Sequence, residues 1–375
     1  MPYGFDSAGF MQELQTNLVG NVAGFSVALN RHGSTIEQAN WGWAKWPLDG
    51  AEGERWTLDT RMNVASLNKI LTAIAMMKVL GAAGLSPDTP IIGYLPAYWA
   101  KGPNVDRITF ADLLAHTSGL AYNNPNASMD FAGMKEAIEA GTLNWGDYSY
   151  ENVNYGLCRV LLATVNGSVP PTTIVYPVAS GDGANVNDNL WNTSTINLYV
   201  SYVAEEIFAP SGVHGPGFAH DPADALAYDF PVTSGSDGDG SLDQQQDAAF
   251  HMSVNEMLRV MGTFRRAGTI VSPTQAQVML DRGFGLNRPP PPPVSTNLGY
   301  LYYKVGGWAS ELYEEQCVAF YLPQDMELVV MVNSPLRDEE VINGTPQGNL
   351  LYPLVELAFE VNIVEMAGDA PAPPA

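Results

Sequence analysis

Cysteine, lysine and long apolar runs are what this chain has least of. Its two cysteines, Cys158 and Cys317, are too few for a disulfide framework, and neither stands at a metal-binding or redox spacing, so two buried thiols are expected. Only six lysines occur in 375 residues, and forty acidic against seventeen basic residues give a net charge of −23. That sign repels phosphate backbones and anionic headgroups, which argues against nucleic acid and membrane surfaces as partners. No stretch approaches the ~18 to 20 uninterrupted apolar residues of a membrane span. The start, Met1-Pro2-Tyr3-Gly4-Phe5-Asp6, lacks the basic and apolar regions of a signal peptide. A cytoplasmic location is expected if that start is native, and a periplasmic or secreted one otherwise. No internal repeat is visible. Among five histidines, His214 and His220, the latter beside Asp221, lie in a Gly/Pro-rich stretch that reads as a loop and not as a ligand set, so no metal and no cofactor is expected.

What is present is a globular composition, 46% hydrophobic and 15% charged, long enough for one large core or two cooperating domains. After an amphipathic segment from Phe10 to Leu18, the alternating run from Gly24 to Leu29, the Arg31-His32-Gly33-Ser34 turn and a second strand from Ile36 to Trp43 read as a hairpin. Strands return at Leu301 to Val305, Glu315 to Leu322 and Leu328 to Asn333, the last two joined by Pro323-Gln324-Asp325, and a closing helix spans Leu350 to Phe359. Between the strand regions the chain reads as helices and long loops, with helices at Phe110 to Ala115, Asn154 to Val165, Asn197 to Phe208, Val254 to Arg266 and Pro273 to Leu280. The expected fold is α/β (α+β): a mixed, largely antiparallel sheet built from both termini and flanked by helices, with a mainly helical domain inserted. The boundaries fall at 1–65 and 281–375 for the sheet domain and 66–280 for the helical one, with a disordered tail at 365–375. Two segments stand apart. Pro289 to Pro293 is a stiff polyproline spacer, and Ser234 to Asp247 is an acidic Gly/Ser/Asp/Gln loop whose alternating oxygens lack the terminal Glu of a calcium loop.

Chemistry enters with Ser66-Leu67-Asn68-Lys69, the one Ser-x-x-Lys in the chain, at the head of a helical stripe of Leu67, Ile70, Leu71, Ile74, Met77 and Leu80. One helical turn brings positions i and i+3 to the same face, where an amine kept partly neutral can take the proton of an alcohol. The pattern alone also suits an exposed Ser and Lys on an amphipathic helix. A second element, Tyr150-Glu151-Asn152, leads into an apolar helix. Lys69 and Lys304 could depress the tyrosine's pKa, and Asn152 could donate to a substrate carbonyl or hold Lys69. Tyr122-Asn123-Asn124 repeats the tripeptide without a helix behind it, so context favours Tyr150. The third element, Lys304-Val305-Gly306-Gly307, falls on a strand, where a glycine edge admits substrate and the Gly307 N–H can join that of Ser66 in an oxyanion hole. Lys304 could also be a solvated edge residue. Trp308 could wall an apolar pocket or belong to the core.

Ser66-x-x-Lys69, Tyr150-x-Asn152 and Lys304-x-Gly306 together resemble the three motifs of class C serine β-lactamases, penicillin-binding DD-peptidases and family VIII carboxylesterases. The run from Ile108 to Leu120, containing His116, is similar to the helix and turn that precede the tyrosine motif in those proteins. The resemblance covers nearly the whole chain and is weakest from Gly167 to Asp247. It implies a β-lactamase/transpeptidase-like fold, acylation of Ser66, proton transfer shared by Lys69 and Tyr150, deacylation by a water that Tyr150 activates, and a site organised by Asn152 and Lys304. It makes His116 a structural turn residue. One position departs from the pattern: Val305 replaces the usual hydroxyl residue that helps hold a substrate carboxylate, which turns the expectation toward small esters or amides. A β-lactamase or D-amino-acid peptidase, and a catalytically silent binding relative, are the alternatives.

Overall fold

The computed structural model describes residues 3–48, 52–122, 124, 126–178, 183–236, 249–287, 294–310, 313–336 and 351–365. The proline run, the acidic loop from 237 onward and the tail after 365 lie outside the described residues. His32 and Gly33 take left-handed backbone angles, φ 51° and 79°, the geometry of a two-residue hairpin turn that matches strand twist. The flanking strands, Gly24–Arg31 and Ser34–Lys45, form the expected hairpin.

The hairpin does not stand alone, because Gly24–Arg31 pairs antiparallel with Met326–Val332, with Val27 opposite Val330. Met326–Val332 then pairs with Glu314–Leu322, which pairs with Gly299–Ala309, so strands from the two ends of the chain alternate into one sheet. All its described pairings are antiparallel, and the connection at Gln324 and Asp325 again uses positive φ.

Side-chain alternation at period two gives the sheet two apolar faces. Val27, Leu29, Val318, Phe320, Leu328 and Val330 pack on the terminal helices Ser7–Leu18 and Leu351–Val361 through Phe10, Leu14, Leu354 and Phe359. The opposite face presents Ala28, Tyr302, Cys317, Ala319, Val329 and Met331 to the helical part of the chain. The helix Asn68–Ala82 lies in this second core and is buried at nearly every position from Lys69 to Leu80. The apolar stripe expected there is therefore wrapped on all sides, because helices also cover the face that would otherwise meet water. By length and composition Ala65–Ala82 is apolar enough to cross a membrane, yet 67% of it is buried inside the protein.

Two helical segments escaped the sequence reading. Phe131–Ala140 starts at Asp130, whose carboxylate caps the Gly133 N–H, and buries Phe131, Met134, Ala137 and Ile138. The helix expected from Asn197 begins at Gly183, and its Asn-rich first half buries Gly183, Asn187 and Trp191. At its C-terminal end Ala204–Phe208 loosens into a π turn, as does Thr263–Ala267 after the Val254–Gly262 helix.

Candidate active site

Ser66 sits in a 3-10 turn, Ala65–Leu67, that feeds the Asn68–Ala82 helix. The residue before it, Ala65, has φ 43°, a left-handed conformation costing an L-residue about 1–2 kcal/mol. The surroundings hold it there. Asn63 Oδ1 accepts the Ala65 N–H at 2.7 Å, and Val64 is pinned from both sides, its N–H to Phe250 O at 3.1 Å and its carbonyl by the buried Cys317 thiol at 3.3 Å. Burial pushes the Cys317 thiol up, so it keeps the proton it donates. Both cysteines are free and buried, as expected.

Three segments meet at the serine. Lys69 Nζ, one turn along the helix, lies 3.1 Å from Ser66 Oγ, and Tyr150 Oη, from the extended chain before the Asn152–Val165 helix, lies 2.8 Å from the same oxygen. Lys304 Nζ, from the middle of the Gly299–Ala309 strand, reaches Tyr150 Oη at 3.4 Å and sits 4.4 Å from the centre of its ring. Gly306 makes that approach possible. A Cβ there would meet Val64 O at 2.6 Å, Cys317 Sγ at 2.7 Å and Leu67 Cδ1 at 2.8 Å, so only a glycine lets the strand seat against the serine turn.

The electrostatics correct one expectation. Lys304 is fully buried, not solvated at an edge, and burial together with the Lys69 charge holds its pKa well below the ordinary lysine value. Tyr150 moves the other way: partial burial pushes its phenol up, outweighing the hydrogen bond with Ser66. Burial thus favours the neutral form of both groups, the phenol of Tyr150 and the amine of Lys304. His116 stands behind the phenol with ring centroids 4.5 Å apart and accepts the Glu151 N–H on Nδ1 at 3.1 Å. Burial and the charges of Lys304 and Lys69 hold its pKa well below the ordinary value, so it is a neutral support for Tyr150. Its φ of 58° fits the turn role expected of it.

Beside the serine opens a cavity of about 230 Å3. Exposed Asn152 and Gly307 mark its mouth with half-buried Trp308, whose indole N–H donates to Glu315, while buried Thr72, Arg159 and Tyr199 line its inner end. Tyr150 and Lys304 are not among its lining residues. Val305 packs instead with the terminal-helix cluster on the other face of the sheet. Lys69 Nζ also lies 5.2 Å from the ring centre of Tyr150 and 5.6 Å from that of Tyr155. Tyr122 is 66% exposed and takes no part.

Sequence reasoning missed the inner end. Asn152, Tyr155, Gly156 and Arg159 all line the cavity at the i, i+3, i+4, i+7 spacing of one helix face, a signal that was available once Asn152 was singled out. Tyr199 bonds Thr72 at 2.8 Å and Asn68 at 3.4 Å, a contact between distant helices that no local pattern announces. Elsewhere, His214 and His220 fall in loop as expected, but the fold brings His220, Asp224 and His251 within 4.8 Å of one another. Asp224 Oδ2 accepts from His251 Nδ1 and from the Asp221 N–H, both at 2.8 Å, which ties this loop to the His251–Ser253 strand.

A serine turn at the seam between a two-terminus antiparallel sheet and a helical insertion is the arrangement of a β-lactamase/transpeptidase-like fold. Residues 11–177 match the family model named Beta-lactamase, and solved structures of related fold align with nearly the whole chain. An octameric penicillin-binding protein homologue from Pyrococcus abyssi is 17% identical, with a TM-score of 0.62 over 91% of this chain and 75% of that one. A class C β-lactamase from Rhodobacter sphaeroides is 15% identical (TM-score 0.59; 94% and 98% covered), and a D-amino acid amidase from Ochrobactrum anthropi SV3 is 17% identical (TM-score 0.61; 94% and 96%). These are likenesses of fold.

Proposed function

We propose that the protein is a serine hydrolase that forms an acyl-enzyme on Ser66 and acts as an esterase, like the family VIII carboxylesterases, on small esters or amides. The observation that carries this reading is the position of Ser66 Oγ, 2.8 Å from Tyr150 Oη and 3.1 Å from Lys69 Nζ, with Lys304 Nζ behind the phenol. Ser66 Oγ attacks the substrate carbonyl carbon as its proton passes to Tyr150 Oη and the phenol's own proton passes to Lys304 Nζ. A raised phenol and a lowered amine suit such a relay, because neither needs to be ionised beforehand. Lys69 offers a second route for the same proton. The N–H groups of Ser66 and Gly307 receive the oxyanion. Collapse breaks the bond to the leaving alcohol or amine, which takes its proton back through Tyr150. A water then uses the same relay to release the acid and restore Ser66.

The ester reading follows the departure at Val305 from the hydroxyl residue of the resemblance, although this side chain packs on the far face of the sheet and not in the cavity. A β-lactamase or D-amino-acid peptidase is the second reading, favoured by the retained lysine of Lys304-x-Gly306. Turnover of p-nitrophenyl acetate and butyrate, beside a chromogenic cephalosporin, tests both. The esters are expected to be hydrolysed by the wild type and not by Ser66→Ala; absence of Ser66-dependent nitrophenol release removes the first reading, and cephalosporin turnover far above ester turnover promotes the second.

A further inference from the structure

The cavity beside Ser66 is a positive island in an acidic protein. Forty acids against seventeen bases make the chain strongly anionic, yet among the described residues lining the cavity there is no carboxylate, and two are cations, Lys69 and Arg159. Arg159 retains 8% of its surface. Its charge survives that burial: the pKa is pushed down to about 10, so the guanidinium is ionised at neutral pH. One of its nitrogens donates to Asn192 Oδ1 at 3.0 Å. Asp130 lies near enough to favour the charged form, while its own carboxylate caps Gly133 and holds Ser128. A cation lining a cavity beside the serine, with the hydroxyls of Thr72 and Tyr199 and the amide of Asn68 on the same walls, offers an anion a charge-assisted hydrogen bond.

Which half of the substrate enters follows from the geometry. The leaving group must stand beside Tyr150, the proton donor, and neither Tyr150 nor Lys304 lines this cavity. The group that reaches into it is therefore the one that stays on Ser66. We infer that the cavity selects an acyl group ending in a carboxylate, gripped by Arg159. This inference rests on the acyl-enzyme reading of Ser66 and narrows its substrate to half-esters or half-amides of dicarboxylic acids.

Three p-nitrophenyl esters of equal chain length separate the possibilities: the adipate monoester (anionic), the hexanoate (neutral) and the 6-aminohexanoate (cationic). The expected order of kcat/KM is anionic, neutral, cationic, with the first on the order of ten-fold or more above the second, as a charge-assisted hydrogen bond gives. Arg159→Gln is expected to collapse that preference to about one-fold through KM more than kcat, and Arg159→Lys to retain part of it. A merely structural arginine would change all three esters alike, and thermal melting of each variant reports its folding. A neutral-first order, or a preference that survives in a folded Arg159→Gln, overturns the inference while leaving the hydrolase intact. No turnover of any ester removes the hydrolase reading, and the inference falls with it.

Discussion

Lys304 sits where a lysine is hardest to keep: fully buried, beside a second cation, with a pKa held well below its ordinary value. The unfolded chain binds that proton more tightly than the folded one, so the residue costs stability at neutral pH, and the cost disappears as pH rises above the ordinary lysine range. Lys304→Met is expected to raise stability at neutral pH by about 1–2 kcal/mol in denaturant melts while lowering kcat by about 100-fold or more. A destabilised variant with intact turnover would remove Lys304 from the relay. The same directions shape the pH profile. Activity should rise with pH as Lys304 gives up its proton, below the usual lysine range, and fall above the usual tyrosine range as Tyr150 ionises. Tyr150→Phe should cost ~100-fold to 10,000-fold in kcat, whereas Tyr122→Phe, at an exposed position away from the site, should leave turnover unchanged. The reverse result would exchange their roles.

At the scale of elements, the contact between the Gly299–Ala309 strand and the serine turn decides whether the site assembles. Gly306→Ala places a methyl against Val64 O, Cys317 Sγ and Leu67, so the strand must move off the turn. The expected result is a loss of about 1–3 kcal/mol in stability and a fall in kcat/KM on every ester; an active, equally stable variant would show that strand and turn are not locked together. This contact was legible in part. Ser66, Lys69, Tyr150 and Lys304 could be read because each motif carries its chemistry locally, and the C-terminal strands because Glu314–Leu322 and Met326–Val332 are apolar runs ended by a Pro-Gln-Asp turn. The direction of the Tyr150 shift could not, since it depends on how much of the phenol the fold covers. Arg159 was hidden in an apolar helix, where a single charged letter between Cys158 and Val160 reads as a surface residue until Tyr199 is known to pack across from it. The first half of the Gly183–Val203 helix was hidden for the opposite reason: its Asn and Thr residues give no apolar period.

For the molecule as a whole, charge and topology set the remaining expectations. A net charge of −23 repels the anionic substrate that the cavity attracts at close range, and salt screens the first effect more than the second. Between about 10 mM and about 200 mM salt, kcat/KM for the adipate monoester should rise about two-fold to five-fold while that for the hexanoate stays flat. A steady fall for the anionic ester would mean that the surface around the mouth is itself positive. The topology brings Tyr150, 84 residues beyond Ser66, onto its hydroxyl, and Lys304, a further 154 residues along the chain, onto the phenol of Tyr150. Intact-protein mass after exposure to a fluorophosphonate, followed by peptide mapping, tests that convergence most directly. One adduct per chain is expected, located on Ser66, absent from Ser66→Ala and much slower to form in Tyr150→Phe and Lys69→Ala. An unlabelled chain, or an adduct on any other residue, would contradict it.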